Sequence, residues 1–392
     1  MSGGVMILIL FTYWVTTFLI HWRGLKRVPE LPVVGGEIRN NPLLSIIIAA
    51  KDEEGSIAHT LKTLINQKYV NVEIIVVNDR SIDNTAKNIE KFMGEIKNKG
   101  YIQEIKLIHI HKLPTGWLGK NYALLQGYLR ASGNYILFTD ADIQFSADTI
   151  GSAMAYLQKY NIDHLTLLPY LKSRQFWLRG FIHLFIFSLY LSKWPWMPNN
   201  DRQTKQGIGV GAFNLLTREA YEKIGTHKEI ALRPDDDLQL GMLVKKKGLK
   251  QRVLIGKEFI EVEWYQSFSA MLKGLEKNIF AGLNYSLFVL FGVILGMIVF
   301  YLLPFLGIWV FDGWYVFIND VSIILILILY LIYINKLSKD KGFDVLLFPI
   351  FVLILIYVFL RSCLITLIKG GISWKGTFYS INELKSNRFK RK

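Results

Sequence analysis

Apolar residues are concentrated at the two ends of the chain, and a stretch of balanced polarity separates them. Residues 5–20 are almost uninterruptedly apolar, His21 and Trp22 come next, and Arg23, Lys26 and Arg27 follow. A membrane-spanning helix needs about 20 apolar residues, so this segment is long enough to cross. With no basic region before it and no small-residue cleavage site after it, we expect residues 1–27 to be a retained anchor. The positive charge behind it predicts that the following domain is cytoplasmic.

Three further apolar segments occupy the last third of the chain, at residues 283–310, 321–334 and 345–368. Residues 283–368 therefore form a C-terminal membrane region with two or three crossings. The basic residues between the second and third segments indicate the cytoplasm, and so does the basic tail at 369–392. One full crossing cannot join two segments on the same side. Either the last segment, which contains Pro349 and Arg361, is re-entrant, or one loop is assigned to the wrong side.

Composition supports a membrane protein. The chain has 392 residues, 52% of them hydrophobic, and a formal net charge of +15. A net positive charge of this size could bind nucleic acid, but no nucleic-acid module is recognisable, and we expect no nucleic-acid partner. Anionic lipid headgroups fit better, since each basic residue near them contributes about 1 kcal/mol. Cys363 is the only cysteine, which excludes a disulfide within the chain.

The middle of the chain, residues 40–282, alternates between apolar runs and helical patterns. The apolar runs, which predict buried strands, are 43–50, 72–77, 105–110 and 135–139. The helical patterns are 56–67, 84–97 and 120–131. This alternation predicts an α/β domain with a mostly parallel, Rossmann-like sheet, whose ligands bind beyond the carboxyl ends of the strands. No glycine-rich turn follows the first strand, which argues against a nicotinamide cofactor.

Two aspartates stand one residue apart after the fourth predicted strand, Asp140 and Asp142. Mg²⁺ and Mn²⁺ prefer a few carboxylate oxygens and complete their shells with water and substrate phosphates. Asn78 and Asp79 end the second strand at the same edge of the sheet. The pattern predicts a nucleotide, with Asp142 on a metal that bridges phosphates and Asp79 on the base or ribose. Acidic residues placed at a strand end for solubility alone are the alternative.

Five motifs follow one another through this stretch. They are Ser45-Ile-Ile-Ile-Ala-Ala-Lys-Asp-Glu-Glu, Val77-Asn-Asp-Arg-Ser-Ile-Asp-Asn-Thr, Gly119-Lys-Asn-Tyr-Ala-Leu, Asp140-Ala-Asp and Asp235-Asp-Asp-Leu-Gln-Leu. In order and spacing they resemble family 2 glycosyltransferases with the GT-A fold, over about residues 43–286. Three more motifs look closest to membrane-bound enzymes of the carotenoid-acid and hopanoid-associated type: Gly116-Trp-Leu-Gly-Lys, Gly225-Thr-His-Lys and Gly371-Ile-Ser-Trp-Lys-Gly-Thr-Phe-Tyr. The resemblance implies a cytoplasmic GT-A domain flanked by transmembrane helices.

The resemblance also implies roles on the donor side of the site. Asp79 matches the acidic residue that holds uracil, and Lys120 matches the basic residue near the nucleotide. Asp140 lies by the ribose and next to the metal, while Asp142 matches the principal metal ligand. Glu53, in the first motif, is a further nucleotide-binding candidate. The implied cofactor is Mn²⁺ or Mg²⁺.

On the acceptor side, Asp236-Asp237 stands where the family usually has Glu-Asp, whose aspartate is the general base. Asp237 is therefore the expected base, with Asp236 as the alternative, because the aspartate triplet leaves the register ambiguous by one residue. A charged helix N-terminus is the structural alternative. Ala50, Lys51 and Asn78 depart from common family residues, which weakens the expected uracil contacts. The stretch 274–278 lacks the Gln-x-x-Arg-Trp motif of processive members, which speaks against polymer synthesis.

An aromatic-rich stretch, residues 176–198, lies between the metal motif and the base. If it crossed the membrane, Asp237 and Asp142 would lie on opposite sides and could not share a site. We therefore expect an interfacial amphipathic helix with Arg179, His183 and Lys193 toward lipid headgroups, and a buried core helix is the alternative. The candidate acceptor-side residues are Trp177, Phe181, Trp194, Trp196 and Gly211.

The sequence thus predicts a multi-pass enzyme of the cell membrane, an inverting glycosyltransferase whose catalytic domain is cytoplasmic. It would move a single sugar from a UDP-sugar, with glucose as the first choice, to a lipid acceptor. Carotenoid acids, hopanoids and other glycolipid precursors are the candidate acceptors. A processive polysaccharide synthase and a non-catalytic, membrane-bound nucleotide-binding protein are the alternatives.

Overall fold

The structure is a computed structural model that describes residues 2–33, 41–100, 103–374 and 376–389. The first residue of the predicted anchor, position 40 of the predicted catalytic domain, Lys375 of the C-terminal motif and tail residues 390–392 lie outside this range. The chain divides into two compact units. The helical unit comprises residues 1–27, 171–195 and 264–385, and the sheet unit comprises residues 28–170, 196–263 and 386–392.

The helices are, in chain order, α1 (Ser2–Leu25), α2 (Ile57–Ile65), α3 (Thr85–Asn98), α4 (Gly119–Tyr128), α5 (Thr149–Tyr160), α6 (Phe176–Lys193), α7 (Arg218–Lys223), α8 (Asp236–Lys246), α9 (Phe268–Gly282), α10 (Leu287–Gly296), α11 (Leu303–Gly307), α12 (Trp314–Leu337), α13 (Phe348–Lys369) and α14 (Ile381–Phe389). A π-helical segment, Met297–Leu302, joins α10 to α11. Short 3-10 turns occupy Met197–Asn199, Thr226–Ile230 and Phe343–Leu347.

The strands are β1 (Leu44–Ala50), β2 (Val72–Asp79), β3 (Glu104–Ile110), β4 (Tyr135–Thr139), β5 (Gln144–Phe145), β6 (His164–Leu168), β7 (Tyr170–Leu171), β8 (Asn214–Thr217), β9 (Gln251–Ile255), β10 (Ile260–Val262), β11 (Gly371–Trp374) and β12 (Thr377–Ser380).

Seven strands form the central sheet, in the order β3-β2-β1-β4-β8-β6-β9. Strand β8 pairs antiparallel with both of its neighbours, and the other pairs are parallel. Every residue of β2 is buried, as expected for a strand covered on both faces. The predicted α/β fold with a mostly parallel sheet is confirmed. The carboxyl ends of β1, β2 and β4 meet at one edge, which carries the candidate site.

Helix α4 is held against the sheet by a core that lies beneath that edge. Ile47 of β1, Leu124 of α4 and Phe138 of β4 belong to one buried cluster with Tyr221 of α7. The Tyr221 hydroxyl lies 2.6 Å from Nδ1 of buried His227. Burying each large apolar side chain contributes about 1.5–3 kcal/mol, so this core holds α4 against the sheet.

Within the described residues, four helices are long and apolar enough to cross a membrane: Gly4–Leu25, Leu287–Gly307, Trp314–Leu337 and Phe343–Lys369. They include the predicted anchor and all three predicted C-terminal segments. The last segment is not interrupted at Arg361, because α13 runs through this residue without a break. Pro349 stands in its first turn, where a missing N–H costs no helical hydrogen bond. Arg361 Nη2 lies 2.7 Å from Glu276 Oε1 of α9, which neutralises its charge.

In the first C-terminal segment, the π-helical turn and α11 behind it each have a carbonyl that accepts a hydrogen bond from a side chain. The Trp14 indole N–H donates to the carbonyl of Phe300, at 2.9 Å. Asn319 of α12 donates to the carbonyl of Pro304, at 2.8 Å. Backbone groups inside a bilayer must be satisfied by protein, and Trp14 supplies such a partner to the π-helical turn, as Asn319 does to α11.

The predicted orientation of His183 is wrong. This residue of α6 is 1% exposed, and its ring lies between two carboxylates rather than toward lipid headgroups. Its Nδ1 is 3.0 Å from Asp344 Oδ1, and its Nε2 is 3.2 Å from Asp340 Oδ2. Because both carboxylates come from the turn between α12 and α13, their attraction draws the imidazole inward.

Two of the predicted interfacial aromatic residues are also covered by protein. Phe181 of α6 is completely buried, and Trp196 lies buried in the sheet unit. Neither can contact headgroups. Trp177 is 51% exposed, and Lys193 at the end of the helix is exposed as well. Part of α6 is therefore buried, as the core-helix alternative predicted, and part of it remains exposed.

Candidate active site

The Asp140–Asp142 turn follows β4 directly and is fixed by backbone contacts. The backbone N–H of Asp140 donates to the carbonyl of Gly211, at 3.1 Å. The hydroxyl of Thr60 in α2 donates to the carbonyl of Ala141, at 2.8 Å. The turn is thus tied on one side to α2 and on the other to the segment before β8.

Lys120 connects this turn to the aspartates of α8. It is the second residue of α4, and its Nζ lies 2.8 Å from Asp140 Oδ1 and 3.5 Å from Asp236 Oδ2. Burial alone would lower the pKa of Lys120, but the carboxylates of Asp140, Asp236 and Asp237 outweigh it and raise the pKa. Lys120 therefore remains charged. The structure brings together four residues that the sequence placed in one site.

Asp236 and Asp237 occupy the first turn of α8 but have different surroundings. Asp236 is buried, and burial raises its pKa to about 7, although the Lys120 charge opposes the shift. Asp237 is half-buried; its Oδ2 accepts from the Gly211 N–H at 2.9 Å, and its Oδ1 accepts from the Leu238 N–H at 2.8 Å. Burial raises the pKa of Asp237, while Lys120 and these two amides oppose the rise.

Asp142 is in a strongly negative environment. Burial, with the neighbouring charges of Asp140 and Glu53, raises the pKa of the Asp142 carboxyl to about 7. Among the described residues, no three His, Cys, Asp or Glu side chains converge closely enough to hold a metal by themselves. Mg²⁺ and related hard cations are commonly bound by one or two carboxylates plus phosphates. The pair Asp140 and Asp142 fits such an ion, since a cation would relieve their mutual repulsion.

Asp79, the predicted uracil ligand, forms an ion pair with the neighbouring Arg80. Arg80 Nε lies 2.7 Å from Asp79 Oδ1, and Arg80 Nη2 lies 3.0 Å from Oδ2. The pair stands against Gly119, where a Cβ atom would overlap the Asp79 carboxylate. Lys51, whose Nζ donates to the carbonyl of Arg80 at 3.1 Å, holds the same turn. Each carboxylate oxygen has a further lone pair and can accept another hydrogen bond. The contact with Arg80 is therefore compatible with the predicted role of Asp79 in holding the base.

The acceptor-side candidates separate into two groups. Gly211 lies within the aspartate cluster, between Asp140 and Asp237. Trp196 belongs to the sheet unit and is buried. The remaining three, Trp177, Phe181 and Trp194, belong to the helical unit.

Sequence reasoning missed Asn121, which follows Lys120. Its buried amide donates to the carbonyl of Ile230 at 2.8 Å and to that of Arg233 at 3.0 Å. The segment that leads into α8 is thereby tied to the start of α4. The third motif contains Asn121, but nothing in the sequence shows which backbone segment it contacts, because its partners lie more than a hundred positions away.

The chain resembles known glycosyltransferases in sequence. Residues 45–225 match the family described as glycosyl transferase family 2. A 4,4'-diaponeurosporenoate glycosyltransferase of Staphylococcus aureus strain USA300 is 27% identical over 248 residues, which cover 62% of each chain. The enzyme of the same name from strain MRSA252 is also 27% identical over 248 residues. The match thus spans about 62% of the length of these relatives.

A solved structure shares the fold. The mannosyltransferase PcManGT from Pyrobaculum calidifontis, in complex with GDP-Man and Mn²⁺, superposes with a TM-score of 0.53 at 14% identity. The superposition covers 93% of this chain and 98% of that one. The sequence match and the sheet lead to one conclusion: residues 45–225 of this chain form a glycosyl transferase family 2 domain, within a sheet unit that has the GT-A fold.

Proposed function

We propose that this chain is a membrane-bound, inverting glycosyltransferase that moves one sugar from a UDP-sugar to a lipid. The observation that carries the proposal is the position of Lys120, with Asp140 on one side and Asp236 on the other. This contact joins the carboxylates expected on the donor side to those expected on the acceptor side. A single site can then hold a nucleotide diphosphate and a base.

Lys120 and the aspartates have complementary tasks in the proposed reaction. As the bond between the anomeric carbon and the diphosphate breaks, negative charge develops on the departing UDP, and Lys120 stabilises it. A divalent cation held by Asp142 and Asp140 would supply further charge stabilisation when bound. The acceptor oxygen forms the new bond to the anomeric carbon while its proton passes to a carboxylate. Attack from the face opposite UDP inverts the anomeric centre.

Asp237 is the better candidate for the base. Asp236 is buried and faces the Lys120 ammonium, which leaves it poorly placed to receive a proton from a substrate. Asp237 is half-buried, and the backbone amides of Gly211 and Leu238 hold its two oxygens in place. Those amides favour the ionised form that a base needs.

The relatives and the membrane helices support the choice of substrates. The S. aureus relatives are named for a carotenoid acid, and four helices of the described residues are suited to a bilayer. We therefore infer a lipid acceptor of the carotenoid-acid, hopanoid or glycolipid-precursor class, with UDP-glucose as the first donor to test. The Mn²⁺ in the PcManGT complex makes Mn²⁺ the first metal to supply. The basic residues after α1 support a cytoplasmic catalytic domain.

Product analysis with purified protein tests the proposal. The full chain, in detergent or nanodiscs, is incubated with Mn²⁺, a bacterial lipid extract and labelled UDP-glucose, UDP-galactose or GDP-mannose. Mass spectrometry should show one hexose per lipid from a UDP-sugar, and Asp237→Asn should lose this product. Asp148→Asn is the matched control, because Asp148 pairs with Lys68 at the surface. A labelled polymer would favour a processive synthase, and UDP binding without any product would favour a non-catalytic protein.

A further inference from the structure

Three alternating glycines precede β8, in Gly207-Ile-Gly-Val-Gly211. At each of them an added Cβ would overlap another group, which would have to move. A Cβ on Gly207 would overlap the carbonyl of Gly241, and one on Gly209 would overlap the carbonyl of Asp237. A Cβ on Gly211 would overlap the carboxylate of Asp140. We call residues 207–211 the glycine loop; it is packed along the first two turns of α8.

The last residue of the glycine loop makes the direct connection between two predicted functional carboxylates. Its N–H donates to Asp237 Oδ2, at 2.9 Å, and its carbonyl accepts from the N–H of Asp140, at 3.1 Å. The distance from the donor-side aspartate to the base candidate is therefore set by the backbone of Gly211. A shift of this residue would move both groups.

Buried side chains hold the glycine loop from behind. The N–H of Val210 donates to Thr166 Oγ1 at 3.1 Å, and the carbonyl of Val210 accepts from Asn214 Nδ2 at 2.9 Å. The N–H of Ile208 donates to Gln251 Oε1, at 3.1 Å. Thr166, Asn214 and Gln251 come from β6, β8 and β9, which are neighbours in the sheet. The rigid sheet therefore supports the loop.

His164 links two of these supports. It is completely buried, with Nε2 3.1 Å from Asn214 Oδ1 and Nδ1 2.6 Å from Gln251 Nε2. An amide oxygen only accepts and an amide nitrogen only donates, so the imidazole must donate from Nε2 and accept at Nδ1. This is one tautomer of the neutral ring, and burial lowers the His164 pKa to about 4. The direction of hydrogen-bond donation from Gln251 to His164 and from His164 to Asn214 is thus fixed.

We propose that the glycine loop is a positioning element that fixes Asp237 relative to Asp140, and that His164 is a positioning residue acting on it through Asn214 and Gln251. The proposal rests on the function proposed above. It assigns a role in transfer to a loop whose backbone holds the proposed base and to a histidine that contacts no reacting group in that scheme. Loop position then controls turnover.

Gly211→Ala tests the loop directly. The added methyl group displaces the Asp140 carboxylate without entering the apolar core, so the melting temperature should stay close to that of the wild type. Displacing a catalytic group by about 1 Å can cost about 10²-fold in rate, and we expect a loss of this size in transfer. Binding of UDP with Mn²⁺ should weaken severalfold, because Asp140 moves. Gly94→Ala in α3 is the control, since its methyl group meets nothing within 4 Å.

Paired variants of His164 test the support. His164→Leu removes both hydrogen bonds, whereas His164→Gln keeps one donor and one acceptor. For a positioning residue, kcat of the Leu variant should fall by about 10-fold at near-normal UDP affinity, and the Gln variant should recover part of it. A purely structural role predicts that melting temperature, UDP affinity and kcat fall together. Equal behaviour of the Leu and Gln variants would overturn the assignment of His164.

Failure of the loop proposal is distinguishable from failure of the proposed function. If the wild type transfers sugar and Gly211→Ala matches Gly94→Ala, only the loop proposal is overturned. If the wild type binds UDP with Mn²⁺ but transfers nothing, the proposed function is overturned, and the loop proposal is then tested by UDP affinity alone. An affinity of Gly211→Ala equal to that of the wild type would overturn the loop proposal as well. A wild type that neither binds nor transfers overturns both.

Discussion

Lys120 lies between Asp140 and Asp236, and its charge offsets part of a strongly negative site. Removing it would leave the buried Asp236 carboxylate without a cation, which is costly in a protein interior. A Lys120 variant would therefore lose stability as well as the proposed charge stabilisation of UDP, and the two effects could not be told apart. Variants of the aspartates separate these effects better.

Asp142→Ala should abolish transfer and weaken the binding of UDP with Mn²⁺. The substitution removes the carboxylate that we expect to be the main metal ligand, while the turn stays tied through Thr60 and Gly211. Calorimetric titration with UDP and Mn²⁺, together with a transfer assay, measures both effects. Asp148→Ala is the surface control. Full wild-type activity in excess chelator would contradict the metal assignment.

Asp237→Asn should keep UDP affinity near the wild-type value while turnover falls by about 10²–10⁴-fold. The amide has the size of the carboxylate but cannot accept a proton in its place. Asp236→Asn serves as the comparison, because it changes the neighbouring carboxylate that faces Lys120. Near-normal turnover in Asp237→Asn with a collapse in Asp236→Asn would move the base by one position.

Single residues also show how much of the candidate site could be predicted from the sequence. The proximity of Lys120 to the Asp140–Asp142 turn was predictable, because each stands in a short motif whose spacing carries the information. The contact of Gly211 with Asp237 was not, since it joins residues 26 positions apart through backbone atoms. His183 was misplaced because an isolated histidine in an apolar helix gives no sign of carboxylates about 160 positions away.

At the scale of elements, the first half of the sheet was predictable from the hydrophobic pattern. The predicted strand at 43–50 is β1 (Leu44–Ala50), and the helix predicted at 84–97 is α3 (Thr85–Asn98). The second half of the sheet was not predicted. Strand β8 has four residues and inserts antiparallel between β4 and β6. A run that short has no periodicity, and its place in the sheet depends on distant partners.

Helix α6 is attached to the turn between α12 and α13 by His183. Each ring nitrogen faces a carboxylate, Asp344 at Nδ1 and Asp340 at Nε2, so both nitrogens carry a proton. The hydroxyl of Ser338 is also close, at 3.3 Å from Nε2. Burial alone would lower the pKa of His183, but its hydrogen bonds to Asp340 and Asp344 raise it above the usual 6.5.

This raised pKa predicts how stability changes with pH. A folded-state pKa above the unfolded value of 6.5 gives a stabilisation that is complete below pH 6.5 and is lost as pH rises through the folded value. The melting temperature of the wild type should therefore exceed that of His183→Asn most at pH 6, and the difference should shrink by pH 9. Thermal unfolding of both proteins in one detergent measures it. A difference that is constant or grows with pH would contradict the assigned charge.

At the scale of the whole molecule, sidedness is the main structural prediction. Basic residues after α1 predict that the catalytic domain is cytoplasmic, and the next apolar helix, Leu287–Gly307, would then lead outside. In a Cys363→Ser background, single cysteines at Trp177 and Lys193 should be labelled only from the cytoplasm. A cysteine at Trp309, which is highly exposed, should be labelled from outside. Outside labelling at Trp177 or Lys193 would separate Asp142 from Asp237 across the membrane and exclude a shared site.

The tail gives a second topological test. Four crossings that start from an outside N-terminus would leave the tail outside, whereas its basic residues predict the cytoplasm. On the charge-based prediction, a cysteine at Glu383 is labelled from the cytoplasm and α13 does not cross completely. Labelling from outside would show that α13 is a full span and that the charge rule fails here.

The central claim is sugar transfer by the aspartate cluster, and the most direct measurement is the mass of the lipid product. Wild type, Asp237→Asn and Asp148→Asn are reconstituted in nanodiscs with a lipid extract, Mn²⁺ and labelled UDP-glucose. The predicted result is a lipid heavier by one hexose in the wild type and in Asp148→Asn, absent in Asp237→Asn and absent for the wild type in chelator. The same labelled lipid from Asp237→Asn at the wild-type rate, or no labelled lipid from the wild type with any nucleotide sugar, would contradict the claim.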